Sequence, residues 1–238
     1  LLLLYSATAL LVLSYCKGEK QQPVYEDLGS VKSRIITINT DFEKQINELK
    51  TLVSKDSDEK LLREKFENIR KTYKKMEWAI EYFLPHSARF INGPAIPEIE
   101  MDEHTEIEPE GLQVLEEILY PYHQENKDEV IRMLNKLINK SNTIKTNFQV
   151  ITISKDQVFD ALRQEAFRIS SLGISGFDTP ISGVFLKEIP FSFEGIKETL
   201  EQISTVRSKD KALKSIIMEI NAATEVLKKN TDKNTFDY

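Results

Sequence analysis

Apolar residues recur at three- and four-residue spacing along most of the chain, the period of an amphipathic helix. Val31, Ile35, Ile38, Phe42, Ile46, Leu49 and Val53 form one such stripe, which starts near Leu28. Ser57 and Asp58 are residue types that cap helix N-termini, and Leu62, Phe66, Ile69, Tyr73, Met76, Ile80 and Phe83 supply the next stripe. Pro85 is expected to end it. Across 85–109 the period disappears, which predicts a long connection punctuated by Asn92-Gly93-Pro94 and Pro97, with an acidic stretch over 98–110. A loop of that length is either functional or an irregular cover over one end of a bundle.

Pro109 suits the first turn of a short helix through Leu112, Leu115, Ile118 and Leu119, stopped by Pro121. A longer helix is predicted over 126–150, with Val130, Ile131, Leu134, Leu137, Ile138, Ile144 and Phe148 inward. Ser154 and Gln157 have the spacing of a capping box for a helix carrying Val158, Leu162, Phe167 and Ile169, which Gly173 and Gly176 break. A short apolar helix around Val184-Phe185-Leu186 follows, then Ile189-Pro190, then helices over 193–205 and 209–229. Only Gln149-Val150-Ile151-Thr152-Ile153 hints at a strand. The expected fold is all-α, a bundle of six to eight helices, with a place near Ser154 where two subdomains could join.

The N-terminal pattern is different. Residues 1–15 carry no charge, and the chain turns densely polar at Lys17, as a signal peptide gives way to a mature start. The apolar run is shorter than the roughly 20 residues that a membrane span needs. Leu13-Ser14-Tyr15-Cys16 resembles the lipobox of bacterial lipoproteins, in which cleavage precedes a cysteine that becomes lipidated. Tyr15 stands where a small residue is usual, and a plain secretory signal is the other reading. Three segments follow: a signal peptide over 1–15, a lipid-anchored tether over 16–27 beginning at Cys16, and a helical domain over 28–238. No initiator Met or basic region precedes Leu1, so the true start is expected to lie upstream; 234–238 ends abruptly, so a chain truncated at the C-terminus is expected as well. Localisation is then exported, on the periplasmic or cell-surface side of a bacterial membrane.

About 220 residues remain after Cys16, enough for one large helical domain or two small ones. Against 38 acidic residues stand 32 basic ones, and a net charge of −6 spread along the chain argues against a nucleic-acid surface. One cysteine permits no internal disulfide and no Cys-x-x-Cys-His, so no c-type haem is attached within these residues. There is no phosphate-binding glycine loop and no serine nucleophile elbow. His86, His104 and His123 form no helical ligand pair.

Chemistry concentrates in Gly111-Leu112-Gln113-Val114-Leu115-Glu116. Gln113 and Glu116, three apart, project from one helix face, while Glu77 lies on the preceding long helix. If those helices pack antiparallel, Glu77, Gln113 and Glu116 converge beneath the loop carrying Asn92, as a ligand site or a structural polar cluster. The alternative is that all are ordinary surface residues. Any metal would fall to Glu77 and Glu116.

These segments resemble the imelysin-like family, exported helical proteins with a Gly-x-His-x-x-Glu motif found among iron-regulated bacterial lipoproteins. Gly111 to Glu116 fits with Gln113 in place of His. Ile69-Arg70-Lys71-Thr72-Tyr73-Lys74-Lys75-Met76-Glu77 and Asn92-Gly93-Pro94 resemble its Arg/aromatic/Glu segment and Gly-Pro loop. Together with Gly176-Phe177-Asp178-Thr179-Pro180, the same segments look closer still to the N-terminal extension of exported di-haem cytochrome c peroxidase-like proteins. That resemblance covers most of the mature chain.

The resemblance implies a non-catalytic helical module preceding a domain with haem c, served by a small cytochrome as electron donor. The imelysin-like alternative implies a stand-alone lipoprotein of iron uptake that binds iron, a haem-related ligand or a protein partner. An amide oxygen is a weaker ligand than imidazole, so Gln113 fits a hydrogen-bonded network better than a tight transition-metal site.

Overall fold

A computed structural model describes residues 28–100, 105–204 and 211–231. The signal-like run, Cys16 and the tether lie outside them. Helix α1 (Gly29–Ser54) buries the expected stripe with one substitution: Asn39 turns inward where Ile38 was expected and is fully buried. Its amide donates to the Ser141 carbonyl at 3.0 Å and accepts from the Ser141 hydroxyl at 3.2 Å, so both groups stay paired in the core. Asp56, at φ 54°, turns the chain out of α1, and the Ser57 N–H donates to the Leu52 carbonyl at 3.1 Å. Helix α2 (Glu59–Phe83) opens on Asp58, whose carboxylate accepts the Lys60 N–H at 2.9 Å.

Pro85 ends α2 but starts another helix, α3 (Pro85–Asn92), because its missing N–H falls among first-turn donors that have no intrahelical acceptor. The connection expected over 85–109 therefore holds two helical turns, too short for a periodicity to register. It also holds an antiparallel hairpin of β1 (Glu98–Glu100) and β2 (Thr105–Ile107), with Glu98 opposite Ile107. Pro109 precedes α4 (Leu112–Leu119) rather than lying in its first turn, because the helix starts only after Gly111, at φ 101°. A Cβ on Gly111 would lie 2.2 Å from the Phe90 carbonyl oxygen, so α4 can approach the end of α3 only through glycine.

Helix α5 (Lys127–Val150) follows one 3₁₀ turn, Gln124–Asn126. The residues after it, 151–154, are not paired as a strand, and Ile153 is buried. Helix α6 (Lys155–Arg168) begins with the predicted capping box: the Gln157 N–H donates to Ser154 Oγ at 3.3 Å and the Ser154 N–H to Gln157 Oε1 at 2.9 Å. Phe167, expected on the inner stripe of α6, is 70% exposed, and Glu165 takes the inward position beside Leu162. A π-turn at Ile169–Gly173 widens the end of α6.

One helix, α7 (Phe185–Ser204), stands where two were expected. Pro190 is its sixth residue and removes a single main-chain bond, to the Leu186 carbonyl. Leu186, Ile189, Ile196, Leu200 and Ile203 carry one buried stripe across it. Helix α8 (Lys211–Thr231) is the last of the described elements.

The architecture is an all-α bundle. Helix α1 lies between α5 and α2, α2 between α1 and α7, and α7 between α2 and α8, while α6 and α3 also pack on α2. Gly195 lets α7 cross α2 closely, since a Cβ there would meet the Lys75 carbonyl oxygen at 2.1 Å. Buried residues from both sides of Ser154 belong to one apolar cluster that includes Phe42, Phe66, Tyr73, Trp78, Phe148 and Val158. Among the described residues no helix is long and apolar enough to cross a membrane.

Candidate functional site

The inner face of α2 is charged. Arg70, Lys74, Glu77 and Glu81 recur along one side of the helix, and the first three are almost wholly buried. Such burial is tolerable only when each charge meets a partner in good geometry. Arg70 donates from Nε to Glu188 Oε1 at 2.6 Å and from Nη2 to Glu188 Oε2 at 3.1 Å, a bidentate pair with α7. Lys74 Nζ reaches both oxygens of Glu77 at 2.8 Å and Asp178 Oδ2 at 2.5 Å. Arg168, at the end of α6, contacts Glu77 Oε1 at 3.3 Å and Glu81 Oε1 at 3.2 Å.

The sequence-derived residues fall on this cluster or at its edge. Asn92, the last residue of α3, donates from Nδ2 to Glu77 Oε1 at 3.0 Å and accepts from Arg70 Nη1 at 3.4 Å. Gln113 Nε2 donates to the Asn92 carbonyl at 3.3 Å, one of the carbonyls that a helix C-terminus leaves unpaired. Glu77, Asn92 and Gln113 are therefore linked in a chain, all of them buried.

Glu116 is buried too but turns to other partners: its Oε1 accepts the Ser182 N–H at 2.8 Å and the Ser182 hydroxyl. The four residues are brought into one interior region, with Glu116 joined to the 176–184 segment instead of to Glu77. Cys16 lies outside the described residues. His86 and His123 are exposed.

Burial opposes charge throughout, and the outcome at each group depends on its neighbours. For Arg70 and Lys74 the desolvation is outweighed, by Glu188 in the first case and by Glu77 and Asp178 in the second, so both are held more firmly protonated than usual. Burial would raise the Asp178 carboxyl, but Lys74 prevails and holds it below its ordinary range. Glu81 shows the opposite balance, and burial pushes it up to about 7 despite Arg168. Burial also raises Glu116 against its Ser182 bonds.

Arg70, Lys74, Glu165, Arg168, Asp178 and Glu188 were not singled out from the sequence, although all bear on the same cluster. A signal existed for Glu165, which continues the apolar stripe Val158, Ala161 and Leu162 at helical spacing. A carboxylate on a core stripe needs a buried partner. Glu77, three residues along the same helix, and Asp178, about a hundred residues away, meet at the one ammonium group of Lys74.

Nothing in this arrangement sets a nucleophile beside a base in an open cleft. The void among Lys74, Glu77, Glu165 and Arg168 measures about 10 Å³, the size of one water molecule. Among the described residues no three His, Cys, Asp or Glu side chains are grouped to hold a metal ion. Neither a family model nor a curated protein matches the chain.

Proposed function

We propose that this chain is the non-catalytic helical module of an exported, lipid-anchored electron-transfer protein of the di-haem cytochrome c peroxidase-like kind. On this reading Cys16 carries the lipid, and the haem c domain lies beyond Tyr238. The intact protein reduces peroxide to water with electrons from a small cytochrome. With a single cysteine, the residues present offer no c-type attachment motif, so haem belongs wholly to that further domain.

One observation supports the reading above the others. The four segments that carry the resemblance, spread over more than a hundred residues, send Lys74 and Glu77, Asn92, Gln113 and Glu116, and Asp178 into one buried region. Their polar atoms are largely engaged with one another and with Ser182. Such residues hold helices together and leave chemistry to another part of the protein. The iron-binding alternative would require Glu77 and Glu116 to abandon these donors for a shared ion.

The deciding experiment is to read the coding sequence past Tyr238 and to stain the protein, isolated from its native membrane, for covalent haem. Two Cys-x-x-Cys-His motifs and a haem-positive band are expected. A stop codon soon after Tyr238 would overturn the peroxidase reading. Mass spectrometry of the mature N-terminus tests the anchor separately, since an unmodified Cys16 or cleavage elsewhere removes it.

A further inference from the structure

Glu165 has no hydrogen-bond partner. It is 1% exposed, and neither carboxylate oxygen meets a donor within bonding distance. Its ion-pair contact, Arg168 Nε, stands 3.8 Å away, while the Arg168 guanidinium is shared with Glu77 and Glu81. Arg70 is matched bidentately by Glu188, Lys74 lies between Glu77 and Asp178, and Arg168 Nε, itself without a hydrogen-bond partner, faces Glu165 only at that 3.8 Å, so the cations Arg70, Lys74 and Arg168 are outnumbered by the carboxylates Glu77, Glu81, Glu165, Asp178 and Glu188. Glu165 is therefore a surplus carboxylate in a place where an unpaired anion is not sustained.

Glu165 lines the water-sized void of about 10 Å³ together with Asp178, whose Oδ1 is likewise buried without a partner. The charged groups around it come from every adjoining element. Helix α2 presents Lys74, Glu77 and Glu81, α6 presents Arg168, the following loop Asp178, and α7 Glu188. With carboxylates outnumbering cations around a void that holds no more than one water, a proton is the smallest counter-charge that fits.

We propose that Glu165 is a proton-binding site: the chain folds with Glu165 as a neutral carboxylic acid, and this proton latches α6 and its π-turn onto α2. The proton is taken from solvent on folding and returned to solvent when the segment opens at higher pH. Burial first, and the neighbouring Glu77 charge second, push its carboxyl well above the ordinary 4.5, which agrees with this geometry. The sign follows from linkage: a carboxyl raised in the folded state gives its full support below its unfolded pKa, and that support is lost as pH rises toward the folded pKa. The adjacent π-turn at Ile169–Gly173, a geometry frequent at functional sites, gives the latch a place to open.

The full chain tests this in wild-type form and as Glu165→Gln, whose amide mimics the protonated acid. Between about pH 5 and pH 9, the wild-type melting temperature should fall by several degrees more than that of the variant. Hydrogen exchange in 155–173, corrected for intrinsic rates, should rise with pH in the wild type only.

The wild type alone also decides, should the variant fail to fold. An infrared carbonyl band of a buried carboxylic acid should persist after Glu81 has ionised, and should remain in Glu116→Gln, which removes the other carboxyl that burial raises. Absence of that band, or parallel melting curves for the two proteins, overturns the proposal. A melting temperature raised by potassium or magnesium in the wild type and not in Glu165→Gln also overturns it, by making the site one for a metal cation.

Discussion

Removing Arg70 tests whether the interior charges act as specific ties. Arg70 and Glu188 are each 1% exposed and joined by bonds of 2.6 and 3.1 Å, so Arg70→Ala leaves a buried carboxylate facing no guanidinium. Breaking one partner of such a pair costs about 3–5 kcal/mol. The bond to Asn92 at 3.4 Å is long and adds little. The pair Arg70→Met with Glu188→Leu removes both charges at similar volume and should remain within about 1 kcal/mol of wild type.

Urea unfolding followed by the fluorescence of Trp78, the single tryptophan and 2% exposed, measures each variant. An Arg70→Ala penalty under about 1 kcal/mol, or a double variant as unstable as the single one, would refute this account of the network.

Gly111→Ala should destabilise by more than about 1 kcal/mol, because φ is 101° and the added Cβ would meet the Phe90 carbonyl oxygen at 2.2 Å; thermal unfolding measures it. Glu81, raised to about 7 by burial, makes wild-type stability fall as pH rises from 4.5 to 7, by at most about 3 kcal/mol, and Glu81→Gln should flatten that part of the profile in chemical denaturation. Ser154→Ala removes one half of the capping box on α6 and should cost about 1 kcal/mol by the same assay. Ferrous iron added to the folded domain should leave the melting temperature unchanged, and a rise abolished by Glu116→Ala would revive the iron-binding reading.

The long helices were legible because their apolar residues keep a helical period over many turns. Phe42, Ile46 and Leu49, or Leu134, Leu137 and Ile144, are buried as their spacing requires. Ser154 and Gln157 announced the start of α6 through the local chemistry of the backbone. Short elements were not legible. Helix α3 has two turns and a proline at its head, and Pro190 suggested a break where packing on α2 keeps α7 continuous.

At the site, Glu77, Gln113 and Glu116 were found by spacing and resemblance, but their partners were not. The ties of Arg70 to Glu188 and of Lys74 to Asp178 join residues more than a hundred positions apart, and local periodicity carries no information at that range. Glu165, buried where Phe167 was expected, is the exception, since its spacing from Ala161 and Leu162 marks an inward position.

The arrangement along α2 explains why this helical bundle keeps so many charges inside. Apolar burial is non-directional, so a helix held by a greasy stripe alone can slide or rotate at small cost. Each charged residue on this face instead meets a different element: Arg70 the α7 carboxylate of Glu188, Lys74 the loop at Asp178, Glu77 the end of α3 through Asn92, and Glu81 the end of α6 through Arg168. All four are satisfied together in one register, and a shift of a single turn would leave several buried charges unpaired. Gln113 extends the same logic from α3 to α4, because an amide donor to the Asn92 carbonyl fixes the helix that Gly111 allows to approach. A neutral amide suits that task, because it donates to the carbonyl without bringing another charge into the buried region.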